Sequence, residues 1–406
     1  MNSWLGRLGP AVVLGVVVCS GALSSGPSPQ GLCMTVLDVG QGDSILVEFP
    51  SGDPWLVDGG GAPGSRFDVG VHRVLPALRE RGIDRLALVV MTHGDADHVG
   101  GLFAVLEQIA VGALLVPSRR TLGSAERSLL NLADQRGVPI LVADEGDAPP
   151  AVSEGARAEI LHPLGRAGRD VSSNDGSVVL RVGLGAVWML LTGDLEAPGE
   201  RLLGASGTDL SAQVLKVGHH GSRTSTTQEF LDVVDPLVAV TGAGAGNRFG
   251  FPHAAVSARL RTQGAPLLWT GRDGEVRTCT DGARIDVHTR PDGRWVSRGE
   301  HDPETVQGWV AQDAERGERR ARWAASVTAS WTEEADHAGR AGPRRSKKSR
   351  GKKAKRKGAT TSRTRKRSRA KKEPATPAPP TLMNEREWRR SRQDRRRPKP
   401  PWRSRR

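Results

Sequence analysis

The segment from Thr92 to Gly101 constrains this chain most; it reads Thr-His-Gly-Asp-Ala-Asp-His-Val-Gly-Gly. It follows a short apolar stretch, residues 86–91, that predicts a buried strand, and from residue 99 to 109 apolar residues recur at helical spacing. Without a cation, these clustered ionisable side chains would repel one another or stay solvated, whereas divalent ions bind imidazoles and carboxylates together. A polar loop capped by Asp is the alternative, but it explains neither histidine. We therefore predict a metal-binding loop whose ligands are His93, Asp95, Asp97 and His98.

Further candidate ligands follow other apolar stretches. Asp194, next to a glycine at the end of a predicted strand, could bridge two metals, although most such Asp residues only form turns. His219 and His220 lie between glycines after another predicted strand, either as ligands or as a structural pair bonded to the backbone. Asp58 precedes three glycines, which form a flexible turn or let the backbone approach the site closely.

Charge divides the chain into two parts. Residues 344–406 contain 28 Lys/Arg against 4 Asp/Glu, and the preceding 343 residues contain 31 against 41, within a net charge of +14. The tail has few large apolar residues to offset its ordering entropy, so we predict that it is disordered. Basic side chains neutralise phosphates, which predicts DNA contacts by Lys347, Lys348, Arg350, Lys352, Lys353, Lys355, Arg356 and Lys357. A solvated extension that meets any polyanion, lipid headgroups included, is the alternative.

The first 30 residues also differ from the body of the chain. Residues 11–19 are apolar, but a membrane span needs roughly 20 such residues. We predict a signal peptide or short membrane anchor over residues 1–30, with lipidation at Cys19 as an alternative. The protein is then extracytoplasmic, in the cell envelope; a misassigned start codon would leave it cytoplasmic. Cys33 and Cys279 could form one disulfide in an oxidising compartment.

Between residues 31 and 290, short apolar segments alternate with Gly, Asp and Pro turns. Many predicted strands with interspersed helices indicate a layered α/β domain. Residues 291–343 are more charged and include an Arg/Glu-rich stretch of helical pattern near residues 303–325. We interpret this segment as a charged helical appendage or a linker.

An ordered set of motifs resembles one family. Together, the motifs are similar to the metallo-β-lactamase-like domain of the ComEC family of DNA-uptake competence proteins. In this chain they are LDVGQGDS (37–44), LVDGG (56–60), THGDADHVGG (92–101), NDGSVVL (174–180), LTGD (191–194) and KVGHHGS (216–222). The resemblance implies an αββα sandwich with a metal site at one edge. ComEC proteins also carry many transmembrane helices, so we expect a separate channel or uptake protein as a partner.

The resemblance also implies roles for the candidate ligands. His93, Asp95 and either Asp97 or His98 would bind one or two divalent ions, Asp194 would lie between the ions, and His219 or His220 would complete the site. Asp97 would also act in catalysis by orienting a water molecule or accepting its proton. Asp95 stands where many relatives have His, which makes the site harder; we expect Zn²⁺ or Mn²⁺, with Mg²⁺ as a further candidate.

Two positions depart from the family pattern. Asn174 lies near where other members supply a histidine, and Ser177 of the same motif is a further possible site residue. Phe251 takes a position where the family often has His, and His253 is a possible replacement. The resemblance implies hydrolysis of DNA phosphodiesters during DNA uptake. Hydrolysis of envelope phosphoesters or acyl esters is one alternative, and an inactive polyanion-binding protein with an incomplete metal set is another.

Overall fold

The computed structural model describes residues 31–62, 66–118, 122–150, 152–153, 155–164 and 171–340, with side chains described as far as residue 332. The predicted signal peptide or anchor lies outside the described residues. So does the basic tail, with the eight Lys and Arg side chains predicted to contact DNA. Among the residues described, no helix combines the length and the apolar character needed to cross a membrane.

Short strands occur throughout the described chain. They are β1 (Leu32–Val36), β2 (Ile45–Glu48), β3 (Trp55–Val57), β4 (Arg85–Leu86), β5 (Leu88–Val90), β6 (Ala110–Val111), β7 (Leu114–Pro117), β8 (Ile140–Ala143), β9 (Ala156–His162), β10 (Val179–Leu184), β11 (Val187–Leu191), β12 (Val214–Lys216), β13 (Val238–Thr241), β14 (Leu267–Trp269), β15 (Glu275–Thr280), β16 (Ile285–Arg290) and β17 (Val296–His301).

Helices connect many of these strands. They are α1 (Leu75–Glu80), α2 (Ala96–Val99), α3 (Leu102–Gln108), α4 (Ser124–Gln135), α5 (Ala197–Ser206), α6 (Gln228–Val234), α7 (Ala254–Gln263), α8 (Thr270–Asp273), α9 (Pro303–Ala311) and α10 (Asp313–Arg340). A π-helical turn, Gly70–Val74, precedes α1.

Two mixed sheets pack face to face. One has the order β17-β16-β15-β1-β2-β3-β5-β7-β8, and the other has the order β14-β13-β12-β11-β10-β9. Successive side chains of a strand point to opposite faces of its sheet. In β5, therefore, Leu88 and Val90 enter the core between the sheets, whereas Val89 packs outward.

Helices cover both outer faces. Apolar residues of α1, α3 and α4 pack on the larger sheet, and those of α5, α6, α7 and α10 pack on the smaller one. The predicted αββα sandwich is confirmed. The predicted division at residue 290 stays a prediction; β17 lies beyond it and pairs with β16 in the same sheet.

Parallel strands determine where the functional loops meet. β3 pairs with β5 in parallel in one sheet, and β11, β12 and β13 are parallel in the other. The carboxyl ends of these strands lie at one edge of the sandwich, the position where open α/β sheets bind ligands. The loops that carry Asp58, His93, Asp194 and His219 leave from that edge.

Glycines allow these loops to approach one another. A Cβ atom on Gly61 would lie 1.8 Å from the carbonyl oxygen of Ala96, and one on Gly101 would lie 2.0 Å from that of Gly59. The glycines after Asp58 thus permit close backbone contact, as one of the two sequence interpretations proposed. The sequence predicted a helix over residues 99–109; the structure has α3 over Leu102–Gln108, and the amide of Gly101, just before it, donates to the Gly60 carbonyl at 2.9 Å.

Candidate metal centre

Four imidazoles turn their Nε2 atoms towards one carboxylate oxygen. From Asp194 Oδ2, the Nε2 atoms lie at 3.8 Å in His93, 3.2 Å in His98, 3.8 Å in His219 and 3.4 Å in His220. All of these side chains are buried except His219, which is 24% exposed. The structure thus brings together predicted ligands from the ends of β5, β11 and β12.

The protein determines which ring nitrogen is free in two of these histidines. Nδ1 of His98 lies 2.8 Å from Asp58 Oδ2, and Nδ1 of His220 lies 2.9 Å from the Gly242 carbonyl oxygen. A carboxylate and a carbonyl can only accept hydrogen bonds, so each Nδ1 carries the proton. The Nε2 atoms are therefore left to face Asp194, where each can bind either a second proton or a metal ion, the arrangement typical of metal-binding histidines.

The other two histidines are oriented in the same way. Thr92 Oγ1 donates its proton to Asp58 Oδ2 at 2.6 Å, so it accepts a hydrogen bond from His93 Nδ1 at 3.1 Å. His219 Nδ1 donates to Glu196 Oε1 at 3.0 Å. Asp58 is therefore placed behind the site, where it fixes His98 directly and His93 through Thr92.

Unusual backbone conformations accompany this arrangement. Asp58, His219 and His220 have φ values of 59°, 44° and 54°, a left-handed region that costs energy in residues other than glycine. Such conformations persist where the surrounding structure fixes them, and they cluster at functional sites. Here they aim one carboxylate and two imidazoles at the same small volume.

The two other carboxylates of the loop lie at the rim. Asp95 Oδ2 is 3.8 Å from His93 Nε2, and the Asp95 side chain is 50% exposed. Asp97 Oδ2 is 3.5 Å from His220 Nε2, with the Asp97 side chain 23% exposed. Both can therefore reach an ion or a substrate that approaches from solvent.

Asn174 and Ser177 border the cluster. Asn174 Nδ2 lies 3.5 Å from His219 Nδ1. Ser177 Oγ accepts a hydrogen bond from the Asp194 backbone amide at 3.2 Å, so it supports the turn that presents the central carboxylate. Asn174 thus neighbours a ligand candidate, and Ser177 acts on the backbone.

His253 is placed differently from the other histidines. Its Nδ1 accepts a hydrogen bond from Ala255 N at 3.2 Å and caps α7. The ring nearer the histidine pair is that of Phe251, whose centroid lies 5.6 Å from that of His219. The contacts of the described residues therefore do not place the His253 imidazole in the cluster.

Sequence reasoning missed a buried ion pair beside the site. Lys216 Nζ lies 2.6 Å from Asp43 Oδ2, and both side chains are at most 1% exposed. Asp43 Oδ1 is 3.4 Å from His220 Nδ1. A lysine inside the apolar strand β12 was the available signal, because an unpaired ammonium is rarely buried.

Asp43 could bind a metal ion itself or could hold the His220 imidazole in position. Asp43, His98, Asp194 and His220 each offer a ligand atom, and these atoms lie within 4.8 Å of one another. We assign Asp43 to positioning, because its oxygens face the Lys216 ammonium and the protonated Nδ1 of His220. It therefore lies on the far side of that ring from Nε2.

The electrostatics of the cluster are dominated by burial and opposite charge. Burial lowers the pKa of His98 and His220, but Asp194, with Asp58 or Asp43, raises the pKa of each well above 6.5. Burial raises the pKa of Asp194, but the two histidines hold it well below 3.8. Burial and then His98 lower the pKa of His93 to about 4. The anionic carboxylates thus attract cations, whether protons or metal ions.

The donor set fits a divalent ion. His93 Nε2 and Asp194 Oδ1 are buried without a hydrogen-bond partner, and unsatisfied buried polar atoms are costly unless something binds them. Imidazoles combined with carboxylates suit Zn²⁺ and Mn²⁺. The predicted metal site is therefore supported by the geometry, and the identity of the metal stays a prediction.

Comparison with known proteins agrees with this geometry. Residues 37–244, about half of the chain, match the Metallo-beta-lactamase superfamily. The chain belongs to this superfamily. The metallo-beta-lactamase match begins in the motif that contains Asp43 and ends beyond the His219–His220 pair, so it includes the whole cluster.

Curated relatives carry names linked to competence and recombination. The chain is 32% identical to ComE operon protein 3 of Bacillus subtilis over 60% of its length, and 34% identical to competence protein ComA of Neisseria gonorrhoeae over 60%. It is 32% identical to recombination protein 2 of Haemophilus influenzae over 62%. These matches cover 32%, 32% and 29% of the relatives, so the chain spans about a third of their length.

These matches confirm the resemblance that the motifs predicted. The chain is a hydrolase of the metallo-beta-lactamase superfamily with competence-protein relatives and a group of side chains that can hold metal ions.

Proposed function

We propose that this protein is a metal-dependent phosphodiesterase that cleaves DNA in connection with DNA uptake. The observation that carries the proposal is the convergence of four imidazole Nε2 atoms on Asp194 Oδ2. The similarity of the motifs to the ComEC family supports DNA as the substrate, and one relative is named as a competence protein.

The residues of the site have two roles: some would bind metal ions, and others orient the imidazoles. Ligands for one or two divalent ions would be His93, Asp95, Asp97, His98, Asp194, His219 and His220. A bound divalent ion would lower the pKa of a water molecule and neutralise charge on a phosphoryl oxygen. Asp58, Glu196 and Asp43 keep the imidazoles oriented throughout.

Asp97 is suited to orient a water molecule as an ionised carboxylate. Burial raises its pKa, but a hydrogen bond from His220 and the charge of His98 lower it below 3.8 overall. The carboxylate is therefore ionised near neutral pH. Its position at the rim lets it orient a water molecule against a phosphodiester that enters from solvent.

A location outside the cytoplasm is consistent with the disulfide. Cys33 in β1 pairs with Cys279 in β15, and their sulfur atoms are bonded at 2.07 Å. Structural disulfides persist in oxidising compartments and are rare in reducing cytosol. We propose that the protein acts in the cell envelope, where it meets DNA, and that a separate uptake protein supplies the channel.

Hydrolysis of end-labelled single-stranded DNA tests the function. The full chain would be stripped of metal and refilled with Mn²⁺, Zn²⁺ or Mg²⁺, with bound metal measured by mass spectrometry. Cleavage should require metal. It should fall roughly 100-fold or more in Asp194→Asn and His98→Ala, because both lose ligand atoms.

Asp292→Asn is the matched control, because Asp292 is exposed on a turn. This variant should cleave DNA like the unaltered protein. Stoichiometric metal without cleavage of any DNA strand would contradict the proposal. Turnover confined to chromogenic phosphoesters or acyl esters would instead favour an envelope-ester hydrolase.

A further inference from the structure

A row of planar groups runs from the metal-binding cluster to solvent. The Phe251 ring centroid lies 5.6 Å from that of His219 and 6.3 Å from that of His220. Phe249 stacks on Phe251 with centroids 5.4 Å apart and an interplanar angle of 17°. The guanidinium carbon of Arg248 lies 4.8 Å from the Phe249 centroid. These residues belong to the loop between β13 and α7, to which the proposed function assigns no role.

Exposure distinguishes the outer part of this row. Phe249 is 49% exposed, Arg248 is exposed, and Phe251 is half-buried. A single exposed apolar side chain is ordinary on a protein surface. The features that set this one apart are its parallel stacking on a second ring, a cationic neighbour and a position beside the ligand histidines.

The loop is held in one shape by its own hydrogen bonds. Asn247 Oδ1 accepts from the amides of Phe249 at 3.2 Å and Phe251 at 3.0 Å. Its Nδ2 donates to the carbonyls of Phe251 at 2.6 Å and Gly244 at 2.9 Å. A loop fixed in this way presents its rings with little further ordering cost when a ligand binds.

A second contact fixes the loop relative to the cluster. The amide of His253 donates to the carbonyl of Gly221 at 2.8 Å, directly after the two ligand histidines. A Cβ atom on Gly221 would lie 2.7 Å from Cβ of Pro252, so the two segments are in close contact. The aromatic rings therefore keep a constant position relative to the metal-binding side chains.

The chemistry of the row indicates its ligand. Stacked aromatic rings with a neighbouring arginine bind unpaired nucleobases, because each base has a planar π face and each phosphate is anionic. Bases in a duplex are already stacked on one another, and recognition by stacking therefore favours unpaired strands. A lipid chain or an apolar peptide would gain nothing specific from parallel rings and a guanidinium.

We propose that Phe249, supported by Phe251, forms a platform that stacks an unpaired nucleobase of the substrate strand on the ring face that the exposed Arg248 side chain covers in the free protein, and that Arg248 turns to the adjoining phosphate when the base binds. The proposal rests on the proposed phosphodiesterase function and names the binding site next to its reacting centre. The platform would hold one base while the neighbouring phosphodiester lies at the rim formed by Asp95 and Asp97.

Binding to the metal-stripped full chain tests the platform without relying on activity. Fluorescence anisotropy would be measured with labelled single-stranded DNA, with an abasic strand of the same length, and with duplex DNA. Stacking contributes about 1–3 kcal/mol per base, so Phe249→Ala should weaken single-strand binding between about 5-fold and 150-fold. Binding of the abasic strand should be unaffected, because that strand keeps the phosphates and lacks the bases.

Two substitutions at the same position separate stacking from apolar contact. Phe249→Trp should retain affinity for the single strand, whereas Phe249→Leu, which stays apolar but loses the π face, should resemble Phe249→Ala. Val310→Ala is the distant control, since Val310 is 41% exposed on α9. Its neighbour Trp309 bonds to the Asp235 carbonyl, beyond the end of α6 that faces away from the site.

Equal loss of affinity for base-bearing and abasic strands, or full affinity in Phe249→Leu, would overturn the platform. Cleavage of the abasic strand by the metal-loaded, unaltered protein tests the proposed function separately. If no strand is cleaved with any metal while the Phe249 effect on base binding persists, the phosphodiesterase proposal fails and the nucleobase site stands.

Discussion

At the scale of single residues, the buried ion pair of Lys216 and Asp43 leads to a prediction about protein stability. Burial raises the pKa of Asp43, but the Lys216 ammonium, with His220, lowers it to about 2. Lys216→Met would leave this carboxylate buried without its counter-ion. The free energy of unfolding of the metal-stripped protein should fall by about 3–5 kcal/mol, measured by urea denaturation.

The double variant Lys216→Met, Asp43→Asn is the matched control. Removing both charges avoids the unpaired buried ion, so much of the lost stability should return. A single Lys216→Met variant as stable as the unaltered protein would show that the pair is not needed to keep Asp43 ionised and buried.

The residues that could be predicted share one property: each belongs to a motif whose chemistry is unusual for a turn. His93, Asp97 and His220 stand among glycines after apolar strands, where structural roles are poor explanations. Asp43 and Glu196 act through contacts with residues that are distant along the chain, and a lone carboxylate in a turn gives no local sign of such a contact.

At the scale of elements, a buried histidine links β9 to the loop that carries Asn174. His162 is fully buried, and its Nε2 donates to the Asp175 carbonyl at 2.7 Å. Burial lowers the pKa of His162 from 6.5 to about 4. The native state therefore keeps this imidazole neutral, whereas the unfolded chain binds a proton at higher pH.

The difference between the native and unfolded pKa of His162 determines how protein stability changes with pH. A lowered histidine pKa contributes stability that is complete above about pH 6.5 and is lost as the pH falls towards 4. The total loss is about 3 kcal/mol. His162→Gln can still donate to the Asp175 carbonyl but does not titrate. The difference in unfolding free energy between the two proteins should therefore change over this pH range, as measured by urea denaturation.

Other histidines titrate in both proteins, so the comparison subtracts their contribution. A constant difference between the unaltered protein and His162→Gln from pH 7.5 to pH 4 would show that the imidazole takes up its proton at the same pH in the native state as in the unfolded chain. The pKa of His162 would then not be lowered by burial.

Elements were predictable where their pattern was apolar. The strands that line the sandwich core, such as β5 and β11, are short apolar runs and were expected. β15, β16 and β17 were not, because Arg, Thr, His and Asp recur in them. Their polar residues are accommodated by sheet pairing and by ion pairs such as Arg277 with Glu48, which depend on tertiary structure.

At the scale of the whole molecule, α10 connects the sandwich to the basic residues that follow it. Arg316 pairs with Asp235, and Arg319 donates to the Asp232 carbonyl. From Arg316 to Arg319, α10 therefore runs from the C-terminal end of α6 towards its N-terminal end. The N-terminal end of α6 is the end nearer the histidine cluster.

Residues 347–357 are the basic residues of the tail predicted to contact DNA that follow α10 most closely along the chain. We expect them to contribute most to DNA capture. Replacing eight basic residues by Gln, namely Lys347, Lys348, Arg350, Lys352, Lys353, Lys355, Arg356 and Lys357, should raise KM for single-stranded DNA with little change in kcat. The slope of log affinity against log salt should fall by up to about 0.7 per charge removed.

A matched variant separates position from charge. It replaces eight basic residues near the end of the chain, namely Arg386, Arg389, Arg390, Arg392, Arg395, Arg396, Arg397 and Lys399. Equal charge is removed, so a diffuse electrostatic effect would raise KM equally in both variants. We expect the larger rise for residues 347–357, because they are closer along the chain to the described body of the protein. Unchanged KM in both variants, with altered binding to anionic vesicles, would assign the tail to a membrane surface instead.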